Sequence, residues 1–272
     1  FSLMGIYTHL FFWFVVLVQL IISGRNYLLR FAGLFVFYIP WVPVVLTSIL
    51  KGSKGFWVNK IDLQLVRSAI GNIFTSYEGT PGGLWYITAV VSFLIILASI
   101  FVLKKKRGEF TKLSIIWLYV PLVIIILISL WKPLFVNRYL IFLVIPMIFI
   151  LARVIEIAKK FGVVVFAILL FFEISVFLYL GPYYRKIDIR ESVRKATMQM
   201  EKDDVLVSKT PLTFFEVNYY SGFKSYLYAV DKNLIPTYVG KALIDEDKIL
   251  PNFQNAAGKV FLINDDGSVT VW

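Results

Sequence analysis

The sequence predicts a membrane-embedded all-α bundle of about six transmembrane helices, followed by a small extracytoplasmic α/β domain. Three observations lead there. Hydrophobic residues make up 59% of the 272 residues, above the roughly 45–50% of a soluble domain, and mean hydropathy is +0.77. Apolar stretches of membrane-spanning length recur through the first two thirds of the chain. The charge is divided: residues 1–182 hold 16 Lys and Arg against 5 Asp and Glu, while residues 183–272 hold 12 of each. The whole excess of +11 therefore belongs to the hydrophobic part, where basic residues flank membrane helices and set their orientation. No basic stripe on a soluble surface remains to serve nucleic acid, so nucleic-acid binding is not expected. The absence of cysteine excludes a disulfide framework, a thiolate metal site and a cysteine nucleophile.

The expected spans are Leu3–Ile22, Tyr27–Leu50, Leu84–Leu103, Leu113–Trp131, Tyr139–Ile157 and Phe161–Leu180. The fifth is the weakest, because Arg153 and Glu156 follow a short apolar run. The short loops 23–30, 104–112 and 153–160 are rich in Lys and Arg, and all three are expected on the cytoplasmic side. Loops 51–83 and 132–138, and everything from Pro182 onward, then lie outside, in a multi-pass protein of the cell membrane. In loop 51–83, Ile61, Leu63, Leu65, Val66, Ile70, Ile73 and Phe74 share an uneven apolar face at helical spacing, with Gln64, Arg67 and Asn72 turned away from much of it. This reads as a helix over 60–75 lying flat on the outer membrane surface, and Glu78 to Gly83 as a flexible turn into the next span.

The tail, 183–272, alternates helices with short apolar strands, the pattern of a small α/β domain. Helices are expected at Arg190–Glu201 and Thr213–Tyr220. Strands are expected at Asp204–Ser208, Lys224–Tyr228, Lys259–Ile263 and Val269–Trp272, with Asp203-Asp204 as a turn rather than a metal-binding pair.

Few residues in the hydrophobic part can carry chemistry. His9 is the only histidine; near the outer end of a span it can donate, accept, ligate a metal or shuttle a proton, or simply bond a neighbouring carbonyl. Arg138 and Lys132 lie on a short outer connection, against the positive-inside bias. An arginine there can grip a phosphate bidentately and a lysine can add a point charge; the alternative is ordinary headgroup contact or snorkelling. Glu173 lies within the last span, protonated or paired. Glu78 is either a base or sugar ligand, or a solvated surface carboxylate. Trp41, Phe56 and Trp57 are interfacial anchors, or platforms for a sugar or an isoprenoid chain. There is no Walker loop, nucleophile elbow, HExxH or dinucleotide fingerprint.

Several segments taken in order resemble a known family. Tyr7-Thr8-His9-Leu10-Phe11-Phe12 opens a span, Pro40-Trp41-Val42-Pro43 closes the next, and Phe56-Trp57-Val58 follows. Asn137-Arg138-Tyr139-Leu140 comes later, with Pro146 and Ala152-Arg153. Together, over about 180 residues, they resemble the C-terminal half of a membrane glycosyltransferase of the GT-C superfamily, of the dolichyl-phosphate-mannose-protein mannosyltransferase and aminoarabinose transferase type. The resemblance implies transfer of a sugar from a polyprenyl-phosphate carrier to an acceptor on the outer face. It implies that Arg138, with Lys132, faces the carrier phosphate, and that His9, Tyr7, Tyr139, Trp57 and Glu78 line the substrate pocket. It makes His9 a candidate ligand of a divalent metal cofactor. The family's catalytic carboxylate is expected upstream of Phe1, so this chain is expected to be the carrier-binding part of a longer enzyme. The sugar and the acceptor are not specified. Two other classes share the same residues: a transporter or flippase for a lipid-linked or anionic substrate, and a membrane scaffold presenting its tail domain.

Overall fold

A computed structural model describes residues 2–24, 28–51, 60–105, 108–222, 224–236 and 239–272. Phe56 and Trp57 lie outside the described residues. The chain divides into two compact units, Phe1–Tyr184 and Arg185–Trp272.

The first unit is helical: α1 (Ser2–Thr8), α2 (Phe12–Ser23), α3 (Leu28–Tyr38), α4 (Val42–Lys51), α5 (Leu63–Thr75), α6 (Trp85–Lys105), α7 (Glu109–Ser129), α8 (Val144–Ile157) and α9 (Gly162–Tyr184). Among the described residues, five stretches are long and apolar enough to cross a membrane. They are Leu28–Thr47, Gly82–Lys105, Glu109–Ser129, Asn137–Ile157 and Lys159–Thr197, the last containing α9. Each corresponds to one of the expected spans.

The expected first span is instead interrupted. The helix breaks at residues 9–11, and α2, with 12 residues, is only about 18 Å long. The cause is local. The His9 ring accepts a hydrogen bond at Nδ1 from the Phe11 amide (3.2 Å), so a side chain takes a backbone donor that helix continuation would use. The Phe12 amide then bonds the His9 carbonyl (2.9 Å), and the helix restarts.

The weak fifth span begins as a 3-10 segment, Asn137–Leu143, and becomes α-helix at Val144. Its charged end is settled within the helix, where the Arg153 guanidinium donates to the Glu156 carboxylate.

The helix expected over 60–75 is present as α5, and its second half packs against protein, unlike Leu63 and Val66 near its start. Those two are exposed, whereas Ser68, Ala69, Ile70, Gly71, Asn72, Ile73 and Thr75 are buried. Ala69, Ile70 and Ile73 enter the main core with Ile95, Leu118, Leu143 and Met147. Its small polar stripe faces α6. A Cβ on Gly71 would fall 1.9 Å from the Thr88 carbonyl oxygen, and the Gly71 amide donates to Ser92 Oγ (2.8 Å). Small residues allow helices to approach this closely, and hydroxyls hold them there. The start of α5 is capped by Asp62, whose Oδ1 accepts from the Leu65 amide (2.7 Å).

The second unit contains α10 (Ile189–Thr197), β1 (Val205–Ser208), α11 (Pro211–Tyr220), β2 (Ser225–Tyr228), β3 (Ile249–Leu250), β4 (Val260–Ile263) and β5 (Val269–Val271). The sheet order is β3-β2-β1-β4-β5. β3, β2, β1 and β4 are parallel and β5 is antiparallel to β4. β4 is buried at every position, as a parallel strand covered on both faces should be. Leu206, Phe261 and Ile263 pack with Ile189, Val193 and Val217 from the helices. Val207, Val260 and Leu262 pack on the other face with Tyr226, Leu250 and Phe253.

The two ends of this sheet are tied by aspartates. Asp204 accepts from the Glu201 amide and the Lys259 amide (both 2.8 Å), joining the starts of β1 and β4. These amide bonds, the one from Glu201 foremost, hold its carboxyl below the usual carboxylate range. At the opposite end, Asp265 Oδ1 accepts from the hydroxyls of Thr210 (2.6 Å) and Thr213 (3.0 Å) at the start of α11.

Two outcomes are expected. Gly71→Ala should lower stability by about 3 kcal/mol through overpacking, whereas Gly33→Ala, in α3 with nothing within 4 Å of its Cβ, should be neutral or slightly stabilising; melting temperatures of the two variants check this. Because the Asp204 carboxyl is lowered, its contribution is present at neutral pH and is lost as pH falls through and below about 4. Hydrogen exchange at Val205 and Val260, corrected for the intrinsic rate at each pH, should therefore speed up in that window in the native protein. In Asp204→Asn it should already be faster at neutral pH and show a shallower acid dependence.

Candidate functional site

The segment between α5 and α6 is not loose. Ser76 turns the chain out of α5 in a left-handed conformation (φ 56°), and the Tyr77 amide bonds the Asn72 carbonyl (3.0 Å). The Tyr77 side chain is fully buried. Its hydroxyl donates to the Pro81 carbonyl (2.5 Å), and its ring meets Trp85 edge-on at 5.4 Å. Burial pushes the Tyr77 hydroxyl up from its ordinary value, so it stays a neutral donor. Gly79, at φ +100°, sits where a Cβ would come 3.2 Å from the Trp85 ring. The segment is also held from α9, because the Glu78 amide donates to Tyr184 Oη (2.9 Å). Finally, Asn137 Nδ2 donates to the Tyr77 carbonyl.

These ties shape a cavity of about 390 Å³ whose wall includes Lys60, Asp62, Asn72, Glu78, Trp85 and Asn137. Two of these residues carry unfinished hydrogen bonding. Asn72 is fully buried and its Nδ2 donates to Ser68 Oγ (3.2 Å). Yet its Oδ1, like that of Asn137, finds no partner among the described residues. Buried polar atoms normally have one.

Beside Asn137 in the chain stand Arg138 and Tyr139. The Arg138 guanidinium carbon lies 5.5 Å from the centre of the Tyr139 ring, and the same ring is 5.4 Å from His9 and 5.7 Å from Phe11. The break that frees His9 from a continuous helix thus brings it to Tyr139, and Arg138 completes the row. All three are exposed, so the row can meet a ligand. Because Nδ1 of His9 accepts from Phe11, a neutral ring carries its proton on Nε2 and offers it as a donor. Nε2 coordination of a metal would move that proton to Nδ1 and give up the Phe11 bond. His9 is flanked by aromatic rings, and no group of three or more His, Cys, Asp or Glu able to hold a metal occurs among the described residues.

The remaining expected residues are placed elsewhere. The Tyr7 hydroxyl donates to the Phe37 carbonyl (2.5 Å), and its ring packs on Tyr38 and Trp41, so it joins α1 to α3. Lys132 is half-buried at the end of α7, where its amide bonds the Ile128 carbonyl (3.0 Å). Glu173, half-buried in α9, has an Oε1 without a partner among the described residues. Glu78 is brought together with Asn72, Trp85, Lys60 and Asp62, which sequence reasoning did not select. Only Asn72 carried a usable signal, as an amide within an apolar run.

Comparison with family models, curated proteins and solved structures finds no match to this chain. The fold and site define a helical protein with, among the described residues, five apolar helices of membrane-spanning length and a small α/β unit, in which a polar cavity adjoins a row of one arginine, one tyrosine and one histidine.

The ties of the 76–81 segment give a direct expectation. Tyr77→Phe leaves the Pro81 carbonyl without its donor and should cost about 1–2 kcal/mol locally. Faster hydrogen exchange across 76–81, with α7 unchanged, is the expected result.

Proposed function

We propose that the chain is the carrier-binding part of a glycosyltransferase that takes a sugar from a polyprenyl-phosphate donor and passes it to an acceptor on the outer face of the cell membrane. In this reading the bundle crosses the membrane six times, α1 and α2 together making the first crossing, and the α/β unit is extracytoplasmic. The observation that carries the reading is the row Arg138–Tyr139–His9 next to a polar cavity that includes Asn137 and Glu78. Carrier phosphate is the leaving group. As the acceptor oxygen bonds to the anomeric carbon, the bond from that carbon to the phosphate oxygen breaks and negative charge grows on the phosphate. A cation fixed where charge develops stabilises the transition state more than the ground state. Arg138 supplies two parallel N–H donors for that group, and His9 Nε2–H adds a third. Tyr139 holds both side chains in line by ring contact. The acceptor's proton leaves to a base that is not assigned to a residue of this chain, and no step requires a metal.

The test is turnover of the intact enzyme in lipid nanodiscs, with polyprenyl-phosphate sugars as donors. Arg138→Ala should reduce turnover roughly 10²–10³-fold, the scale of losing one such charge-stabilising group, with an unchanged melting temperature. Arg138→Lys should recover only part of it, because a point charge does not replace the fork. Full turnover in Arg138→Ala would remove the phosphate role and the reading with it.

A further inference from the structure

We infer that the cavity between the start of α5, the 76–81 segment and Asn137 is a subsite for a monosaccharide ring, recognised by Asn72, Asn137 and Glu78 and walled by Trp85. The inference deepens the reading above and rests on it for the source of the ring, a carrier-linked sugar; the recognition chemistry itself is argued from the cavity.

The two amides decide what the ligand must offer. Each has its orientation fixed through Nδ2, Asn72 by Ser68 Oγ and Asn137 by the Tyr77 carbonyl. Neither can rotate its amide without giving up that bond. Each oxygen is thereby held in place, and each lacks a donor among the described residues. Glu78 adds a carboxylate to the same wall. The cavity asks for several donors at fixed positions, and the hydroxyls of a sugar ring are donors of that kind. Trp85 supplies the apolar face that the C–H side of such a ring requires. Its ring is already braced by Tyr77 at 5.4 Å and closely approached by Gly79, so stacking costs little ordering. The volume of about 390 Å³ lies within the range of small-molecule sites, about 300–1,000 Å³.

A divalent cation is the other ligand that oxygen acceptors suggest. Lys60 in the same wall opposes it, and Asp62 already spends Oδ1 on capping α5. A neutral ring meets neither objection. The position also has chemical sense, because Asn137 precedes Arg138 directly: a ring held by the first would have its phosphate at the second.

The experiment measures two bindings separately on the intact protein in nanodiscs. One probe set is the methyl glycosides of mannose, glucose, galactose and N-acetylglucosamine, followed by saturation-transfer NMR. The other probe is decaprenyl phosphate, which carries no sugar. At least one glycoside should bind, and Asn72→Leu, which keeps the side-chain volume but removes the acceptor, should weaken it roughly tenfold. Glu78→Gln, at an exposed position that leaves the backbone bond to Tyr184 intact, should weaken the same glycoside several-fold and guards against misfolding of the first variant. If decaprenyl phosphate binds but no glycoside does, or if glycoside binding is unchanged in both variants, the sugar subsite is overturned while the phosphate reading stands. If a glycoside binds through Asn72 and Glu78 but decaprenyl phosphate does not bind, the subsite is supported and the carrier reading is overturned. Binding of neither probe overturns both.

Discussion

The separation of α5 from α6 is set where Gly71 meets the Thr88 carbonyl. No side chain larger than hydrogen fits between them, and the Gly71 amide reaches across to Ser92. Much of the helical unit's polar architecture follows from this approach. With α5 drawn against α6, Asn72 is buried rather than solvated, and the chain leaving α5 must turn at once at Ser76 to reach Trp85. That turn delivers Tyr77 to a buried position with its carbonyl turned toward Asn137. A helix in contact with lipid alone would have imposed none of this. An apolar stripe can be satisfied by lipid as well as by protein, so hydrophobic burial alone does not choose between the two. The small polar residues of α5 make the choice.

A second constraint acts from the other side. A histidine ring that captures a backbone donor interrupts a helix, and the interruption turns a structural residue outward toward Tyr139. Arginine, tyrosine and histidine then share one edge of the unit, adjoining through Asn137 a cavity whose amide oxygens are unfinished. Leaving buried acceptors without donors is costly, and a protein retains such a cost most readily where a ligand removes it. The Asn72 oxygen is one such acceptor, fully buried and without a donor among the described residues.

How much of this was legible in the sequence depends on how local the determinant is. The strands at Val205–Ser208 and Val260–Ile263 could be read because each is a short unbroken apolar run, and the five long apolar helices because each is apolar beyond the reach of a globular core helix. β3, with Ile249 and Leu250 alone, is too short to leave a pattern. The helix over 63–75 was legible from its spacing, but its burial was not. Ser68, Gly71, Asn72 and Thr75 look like a solvated face until Thr88 and Ser92 are known to stand opposite. The break at His9 was hidden because it falls within a mostly apolar stretch, and only hydrogen-bond geometry shows the ring competing with the backbone. Arg138 and Glu78 could be singled out by charge and position. Their partners Asn72, Trp85 and Asn137 come from three separate segments, and no spacing rule links an amide in one helix to a tryptophan that starts the next.

In open parallel sheets, ligands enter at the carboxyl ends of the strands where the chain direction switches sides, which in the second unit is the gap between β1 and β4. There the start of α11 is already occupied, since Asp265 accepts from Thr210 and Thr213. This helix carries its own counter-anion on a tether. A free phosphate or carboxylate approaching α11 would have to outcompete a carboxylate whose effective concentration is on the order of millimolar or higher. The start of α11 thus already holds, from its own chain, the anion it would otherwise attract.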